Sequence, residues 1–367
     1  MGILERIKDI EFEISRTQKN KATEYHIGRL KAQLAKLRSQ LIEGSKSAGA
    51  KGEGFDVQKF GDSRIALIGF PSVGKSTLLG QLTGAKSEVA AYEFTTLTCV
   101  PGIIDYREAR LQLLDLPGII EGASEGRGRG RQVIAVAKSA DLVLMILDAT
   151  KDDAQKDKLE KELEAVGIRL NKEPPLISLK VKKVGGVTFN STVPLSAMDA
   201  KLCQSILSEY KIFNADVLFR ANHNADDLID VIEGNRKYIK CLYVYNKVDM
   251  LSLEQLDELA RRPMTVCVSS QRAWNMDTLL ERMWAELELV RVYTKKVGEQ
   301  PDFSDPIILT PQRGGSTIKN CVKYIHTSLQ TETRYAIVWG RSTKHIPQQC
   351  GIEHTLADED VIQVVKK

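Results

Sequence analysis

Cysteine is sparse and scattered in this chain. There are six in 367 residues, Cys99, Cys203, Cys241, Cys267, Cys321 and Cys350, and no two form a C-x-x-C pair. That spacing argues against a structural zinc site. Most of the six lie among apolar neighbours and read as small core residues in a reduced, intracellular setting. Long apolar runs are also missing: no stretch reaches 18 residues, so no span of a membrane is expected. No secretory signal is visible. The opening MGILER resembles a myristoylation site but has Arg6 where Ser or Thr is wanted. A strong net charge is absent too, at +4, yet its distribution is uneven. Residues 1–51 hold 11 Lys/Arg against 6 Asp/Glu, and residues 290–367 hold 11 against 8. Basic ends suit a polyanion such as RNA, and equally suit a plain solvated surface.

What is present reads as several domains, about two to four for this length. Ile3, Ile7, Ile10 and Ile14 step by four, three and four, and Leu30, Leu34, Leu37 and Leu41 repeat the step. Each set forms one helical seam, so residues 1–45 are expected to fold as an antiparallel hairpin, either docked on the next domain or offering a basic surface. Residues 46–62, rich in Gly, Ser and Lys, read as a linker. From Arg64 the buried-strand runs RIALIGF, ARLQLLDL, ADLVLMILDA, KCLYVYN and MTVCVSS alternate with helical segments. That alternation predicts an α/β fold, a parallel sheet with helices on both faces.

From Asp115 to Asn246 the chain advances 131 positions. Two strand–helix–strand crossovers use roughly 60 residues. The excess is assigned to an inserted α+β lobe at 168–238, leaving the main domain as 63–167 and 239–292. Within the lobe, LISLKVKK and GVTFNSTV flank Gly185-Gly186 and read as a hairpin, followed by a helix in MDAKLCQSILSEYKI. The last segment, 293–367, reads as a small α+β module. Its helix TIKNCVKYIHTSL places Ile318, Val322 and Ile325 on one face, and PIILT, YAIVWG and VIQVVKK read as short strands.

The chemistry begins at GFPSVGKST, which fits G-x-x-x-x-G-K-[ST] between a strand and a helix. Its glycines let backbone N–H groups surround phosphate oxygens at a helix N-terminus. The candidate phosphate-binding residues are Pro71, Ser72, Val73, Gly74, Lys75, Ser76 and Thr77. Lys75 brings positive charge to the outer phosphates, and Ser76 offers a hydroxyl to Mg2+. NKVD, Asn246 to Asp249, decides the base: the Asp249 carboxylate can accept from guanine N1–H and its exocyclic amine, a donor pair adenine lacks. Asn246 braces that loop and the Lys247 stem covers the ring. Ser269 and Ser270, one strand later, bring a backbone N–H to the guanine oxygen. In YEFTTLT, Thr96, with Thr95 second, is expected to close over the last phosphate and reach the metal. The candidate catalytic groups are Lys75, Thr96 and the Gly118 amide; the candidate Mg2+ ligands are Ser76, Thr96 and Asp115.

GFPSVGKST, FTTLT, DLPGIIEGA and NKVD together resemble the Obg-related branch of translation-factor GTPases. RTQKNKATEYHIGRLKAQLAKLR and YTKKVGEQPDF narrow the resemblance, which runs end to end, to the developmentally regulated GTP-binding proteins, type 2 branch. The resemblance implies a helix-turn-helix start, a GTPase domain, a ribosomal-S5-like inserted lobe, and a β-grasp TGS domain over 293–367. It further implies a cytoplasmic protein that binds GTP and GDP with Mg2+ and works on translating ribosomes through rRNA or tRNA. It implies a dedicated zinc-finger partner protein, and neither DNA nor membrane. Ser270 departs from the Ala common at that position. Some relatives that use K+ carry Asn or Asp where this chain has Ser72, so a role for K+ stays open.

Many nucleotide hydrolases place Gln after the D-x-x-G turn to orient the attacking water. This chain has Ile119, then Ile120. Metal, loop amides and Lys75 retain most of the electrostatic help, so slow hydrolysis is expected. Arg127, Arg129 and Arg131 follow in a Gly-rich stretch and could supply charge or contact RNA; Glu121 could orient water indirectly. The base assignment has a direct check. Asp249→Asn should move preference from guanosine to xanthosine nucleotides in competition binding, and an unchanged guanine preference would defeat the assignment.

Overall fold

A computed structural model describes residues 2–18, 20–21, 23–43, 61–83, 101–116 and 135–366. The described residues fall into two compact units. One takes them from Met1–Asp56, Gly118–Lys138 and Asp157–Ile239, the other from Val57–Pro117, Ser139–Lys156 and Lys240–Lys367.

In the first unit α1 (Ile3–Arg16) and α2 (Glu24–Glu43) form the expected hairpin. Ile7, Leu30 and Leu37 are buried at its seam, and Arg38–Glu11 (2.6 Å) and His26–Glu13 (2.9 Å) join the helices. A second face of α2 carries Gly28, Ala32, Ala35 and Ser39, at steps of four, three and four. These small residues let α2 approach α5 (Ala200–Glu209) and α6 (Ala225–Glu233) of the lobe. At Gly28 an added Cβ would come 2.6 Å from Leu202 Cδ1. Lys31 closes on Asp226 at 2.6 Å, and Asn235 Nδ2 donates to Ser39 Oγ at 2.8 Å. The hairpin therefore docks on the inserted lobe.

The lobe also holds β6 (Ile177–Val181), β7 (Val187–Ser191) and β8 (Ala215–Phe219). The expected β6–β7 hairpin does not form. β8 lies between them, antiparallel to β6 and parallel to β7. The Gly185-Gly186 turn, with both residues at positive φ, does reverse the chain. It leaves a gap one strand wide, which the alternating Ala215, Val217 and Phe219 fill from above the helices. β5 (Ile168–Leu170) runs parallel to residues 237–239, the start of β9 (Lys237–Asn246). Buried Asp230 takes both Arg169 (2.7 Å) and Arg236 (3.1 Å).

The second unit contains the main sheet, in the order β10-β9-β4-β1-β3-β2. β1 (Ser63–Gly69), β3 (Ala109–Asp115), β4 (Leu142–Asp148), β9 and β10 (Thr265–Cys267) are parallel. β2 (Pro101–Tyr106) pairs antiparallel with β3, so the parallel expectation is corrected at one edge. α3 (Lys75–Thr83) and α8 (Met276–Leu287) bury Leu78, Leu82, Leu279 and Met283 against one face. On the other, Lys156 of α4 (Ala154–Ala165) lies over Tyr243, and Arg262, after α7 (Leu253–Ala260), bonds Tyr245 and Asp153. Fully buried Arg64 is held inside by Gln112 (3.0 Å) and Ser139 (2.6 Å).

The C-terminal module opens earlier than expected, with β11 (Val290–Thr294), and continues as β12 (Asp302–Leu309), α9 (Ile318–Ile325), α10 (Leu329–Glu332), β13 (Thr333–Trp339), β14 (Gln348–Cys350) and β15 (Asp360–Lys366). Its sheet order is β12-β11-β15-β13-β14, with β11 and β15 parallel at the centre. α9 buries Ile318, Cys321 and Val322; Ile325, expected on the same face, is 42% exposed where the helix ends. The described cysteines are buried and unbridged, as small core residues. No described helix is long and apolar enough to cross a membrane.

Phe219 is fully buried with its ring 5.4 Å from that of Phe189. Phe219→Ala should destabilise the lobe by about 3–5 kcal/mol, read as a shifted denaturant midpoint at unchanged slope. A change below about 1 kcal/mol would mean that β8 is not the central strand.

Candidate functional site

The carboxyl ends of β1, β3, β4, β9 and β10 converge on one edge of the main sheet, where the strand order reverses about β1. Open α/β sheets bind ligands at such a point. Residues 70–74 leave β1 and turn into α3 at Lys75. The turn needs left-handed backbone at Ser72 (φ 64°) and Gly74 (φ 95°). Gly74 has a second reason to lack a side chain: a Cβ there would strike Asn246 Nδ2. Pro71, Ser72, Ser76 and Thr77 are exposed, while Val73 is buried beneath the loop. The Lys75 ammonium donates to the carbonyls of Gly69 (2.8 Å) and Phe70 (2.9 Å). Burial pulls its pKa below the ordinary lysine value, and the nearby Asp115 opposes that pull.

Asp115 ends β3. Burial pushes its carboxyl above the ordinary value, against the effect of Lys75. Its Oδ1 is buried and finds no hydrogen-bond donor among the described residues. A desolvated, unsatisfied carboxylate oxygen near Lys75, with the exposed Ser76 hydroxyl on the next residue, suits a hard, oxygen-preferring cation that keeps its waters. The residues present therefore fit Mg2+, which Ser76 and Asp115 would hold.

The base end of the site is built around Asn246. Its Nδ2 donates to the Val73 carbonyl (2.8 Å) and to Ser270 Oγ (2.8 Å), and its Oδ1 accepts from the Ser270 N–H (2.9 Å). Asn246 and Ser270 are both buried. The Ser270 N–H, expected to meet a guanine oxygen, is thus engaged with Asn246. Ser269 Oγ donates to Asp249 Oδ1 at 2.6 Å and fixes that carboxylate. Lys247, in left-handed backbone (φ 67°), sends its ammonium to Asp148 at 2.7 Å. Asp148 escaped the reading of the sequence. Burial pushes its carboxyl up, but hydrogen bonds from Lys247 and Thr150 outweigh that and hold it below the usual range. The sole sequence signal was an acidic residue ending an otherwise apolar strand, LVLMILD.

The structure thus brings together the phosphate loop, Asp115, Asn246, Lys247, Asp249, Ser269 and Ser270. Thr95, Thr96, Pro117, Gly118, Ile119, Ile120, Glu121, Arg127, Arg129 and Arg131 lie outside the described residues, as does Cys99.

Three family models match the chain. Residues 64–181 match a 50S ribosome-binding GTPase model, 184–289 the C-terminal region of that domain, and 290–366 the TGS domain. The chain is 62% identical to developmentally-regulated G-protein 1 of Arabidopsis thaliana over its whole length and 92% of that relative. It is 62% identical to developmentally-regulated GTP-binding protein 2 of Mus musculus, with both chains covered in full. The chain belongs to the developmentally regulated GTP-binding protein family. An uncharacterised GTP-binding protein of Caenorhabditis elegans is 64% identical, again over both full lengths. As a member of this family the chain binds guanine nucleotide through its GTPase domain and ends in a TGS domain, the β-grasp module of β11 to β15. GTP hydrolysis in general follows from the same membership.

Removing the Asn246 carboxamide would strand the Ser270 N–H and the Val73 carbonyl in a buried site. Each unsatisfied group costs about 1–3 kcal/mol. Asn246→Ala is expected to weaken GDP binding at least tenfold in calorimetry and to lower Tm without nucleotide. An unaltered affinity would show that the two loops do not depend on this bridge.

Proposed function

We propose that this protein is a slow GTPase that acts as a switch on translating ribosomes. The observation that carries the nucleotide part is the cluster at the sheet edge. Asp115 waits with an unsatisfied buried oxygen at one end, and Asp249 is held by Ser269 at the other. In this reading Lys75 leaves the Gly69 and Phe70 carbonyls for the outer phosphates, and the loop N–H groups take up their oxygens. Mg2+, when bound, would neutralise phosphate charge. Ser76 and Asp115 orient that charge, and Asp249 with the Lys247 stem selects guanine. Thr96 and the turn at Gly118 close over the last phosphate and open after it leaves, which makes the site a switch.

Slow turnover follows from Ile119, which cannot hydrogen-bond a water where other hydrolases have Gln. Loss of a water-orienting or charge-supplying group typically costs a factor of about 10³–10⁵ in this chemistry. A stimulating group would then come from outside: K+, the ribosome, or the zinc-finger partner implied by resemblance. Two things support the ribosomal part of the reading: the description of the matched family model as a ribosome-binding GTPase, and the basic ends of the chain. Contact through rRNA or tRNA in the cytoplasm completes it.

Multiple-turnover phosphate release tests this. The chain alone should turn over slowly and stop when EDTA removes Mg2+. Ribosomes should raise the rate, and exchange of Na+ for K+ reads the monovalent ion directly. Co-sedimentation with ribosomes should be stronger with a GTP analogue than with GDP. No release even with ribosomes and partner would favour the other reading, a partner-dependent RNA or ribosome binding module in which GTP is mainly structural.

A further inference from the structure

The inserted lobe has one face that its own core does not use. Ile177 and Leu179 of β6, Val187 and Phe189 of β7, and Ala215, Val217 and Phe219 of β8 point inward to α5 and α6. Alternation sends the intervening residues outward, and the contacts agree. Lys182 pairs with Asp216, Lys180 acts on the same carboxylate, and Thr188 hydrogen-bonds it. Continuing the register, Ser178, Leu218 and Asn190 form the next row, followed by Arg220 just after β8. The outer face thus holds three cations, Lys180, Lys182 and Arg220, against one acid, Asp216.

At one end of this face the chain forms a braced tip. Asn214 ties its two sides. Its Oδ1 accepts from the Gly186 N–H (2.8 Å), its Nδ2 donates to the Lys183 carbonyl (3.2 Å), and its own carbonyl accepts from the Lys182 N–H (2.9 Å). The brace holds apolar side chains in water: Val184 is 80% exposed and Phe213 65%. Lys183 and Lys211, both exposed, flank them. An apolar tip held open in this way is uncommon without a partner.

We infer that the outer sheet face and tip of the lobe bind unpaired RNA. The backbone crosses the Lys180–Lys182–Arg220 face, and a base packs on Phe213. Three features favour this occupant. The face has cations for phosphates, together with the hydroxyls and amide of Ser178, Thr188 and Asn190 for ribose and phosphate oxygens. Its tip has an aromatic ring for a base, the combination that single-stranded nucleic acid requires. A protein-docking patch would centre its apolar groups within a polar rim. Here the exposed apolar groups lie at the two ends, Val184 and Phe213 at the tip and Leu176 beside Arg220, while the middle row is Ser178, a half-buried Leu218 and Asn190. This inference deepens the ribosomal reading above, since it names an RNA-contacting surface.

The test uses the full chain and a fluorescein-labelled 20-nucleotide single-stranded RNA, followed by anisotropy across a salt series. Replacing Lys180, Lys182 and Arg220 together with Gln should weaken binding and lower the slope of log affinity against log salt by about 2. Phe213→Ala should weaken binding about tenfold with the slope unchanged, because stacking releases no counterions. All four residues are solvent-facing, and a retained Tm verifies folding for each variant. Both variants binding RNA like the parent would overturn the inference. It would equally be overturned if RNA binding held while binding to phosphatidylserine vesicles was lost, which would assign the surface to a membrane. GTP turnover and ribosome co-sedimentation of the parent are read separately. Failure of the switch reading would be seen there, and failure of the lobe surface in the anisotropy.

Discussion

One carboxamide sets the geometry of the nucleotide pocket. Asn246 ends β9, and Val73 and Ser270 belong to loops after β1 and β10. Its amide joins all three in a buried site where each hydrogen bond has no competing water. The phosphate end and the base end of the pocket are therefore one rigid object. The bridge also explains why Gly74 has no side chain: the space a Cβ would need is taken by the Asn246 amide. Backbone conformation and side-chain packing impose the same residue independently.

The two carboxylates flanking this bridge are treated in opposite ways. Asp148 is buried but satisfied, so its charge is stabilised and serves to place Lys247. Asp115 is half-buried and unsatisfied at Oδ1, so its charge is held at a cost. The same cost burdens Lys75, whose ammonium makes do with two carbonyls. Satisfied groups position the pocket, and unsatisfied ones give it affinity for a ligand carrying the missing charges.

Local spacing made much of this legible. The phosphate loop, the NKVD loop and the paired serines each follow a strand that is apolar in the residues leading up to it, and a run such as LVLMILD can sit nowhere but in a covered sheet. The hairpin seam was legible for the same reason. Non-local pairing was not. β2 opens on Pro101-Gly102, which reads as a turn, and becomes a strand only because β3 accepts it. β6 and β7 carry every sign of a hairpin, and nothing in either shows that a strand from residue 215 separates them. The small residues Gly28, Ala32, Ala35 and Ser39 have helical spacing but no apolar bulk, so a search for hydrophobic periodicity passes over them. Asp148 matters through Lys247, 99 positions later. Candidates Thr96 and Gly118 lie in segments the structure does not describe.

The insertion of β8 between β6 and β7, with α2 packed on α5 and α6, has a consequence for biosynthesis. The chain emerges N-terminus first, so the small-residue stripe of α2 waits nearly two hundred residues for its cover. β6 and β7 likewise stand side by side with a vacancy until residues 215–219 leave the exit tunnel. Through that interval the nascent chain carries open strand edges and an uncovered helix face, the features that chaperones recognise and aggregation exploits.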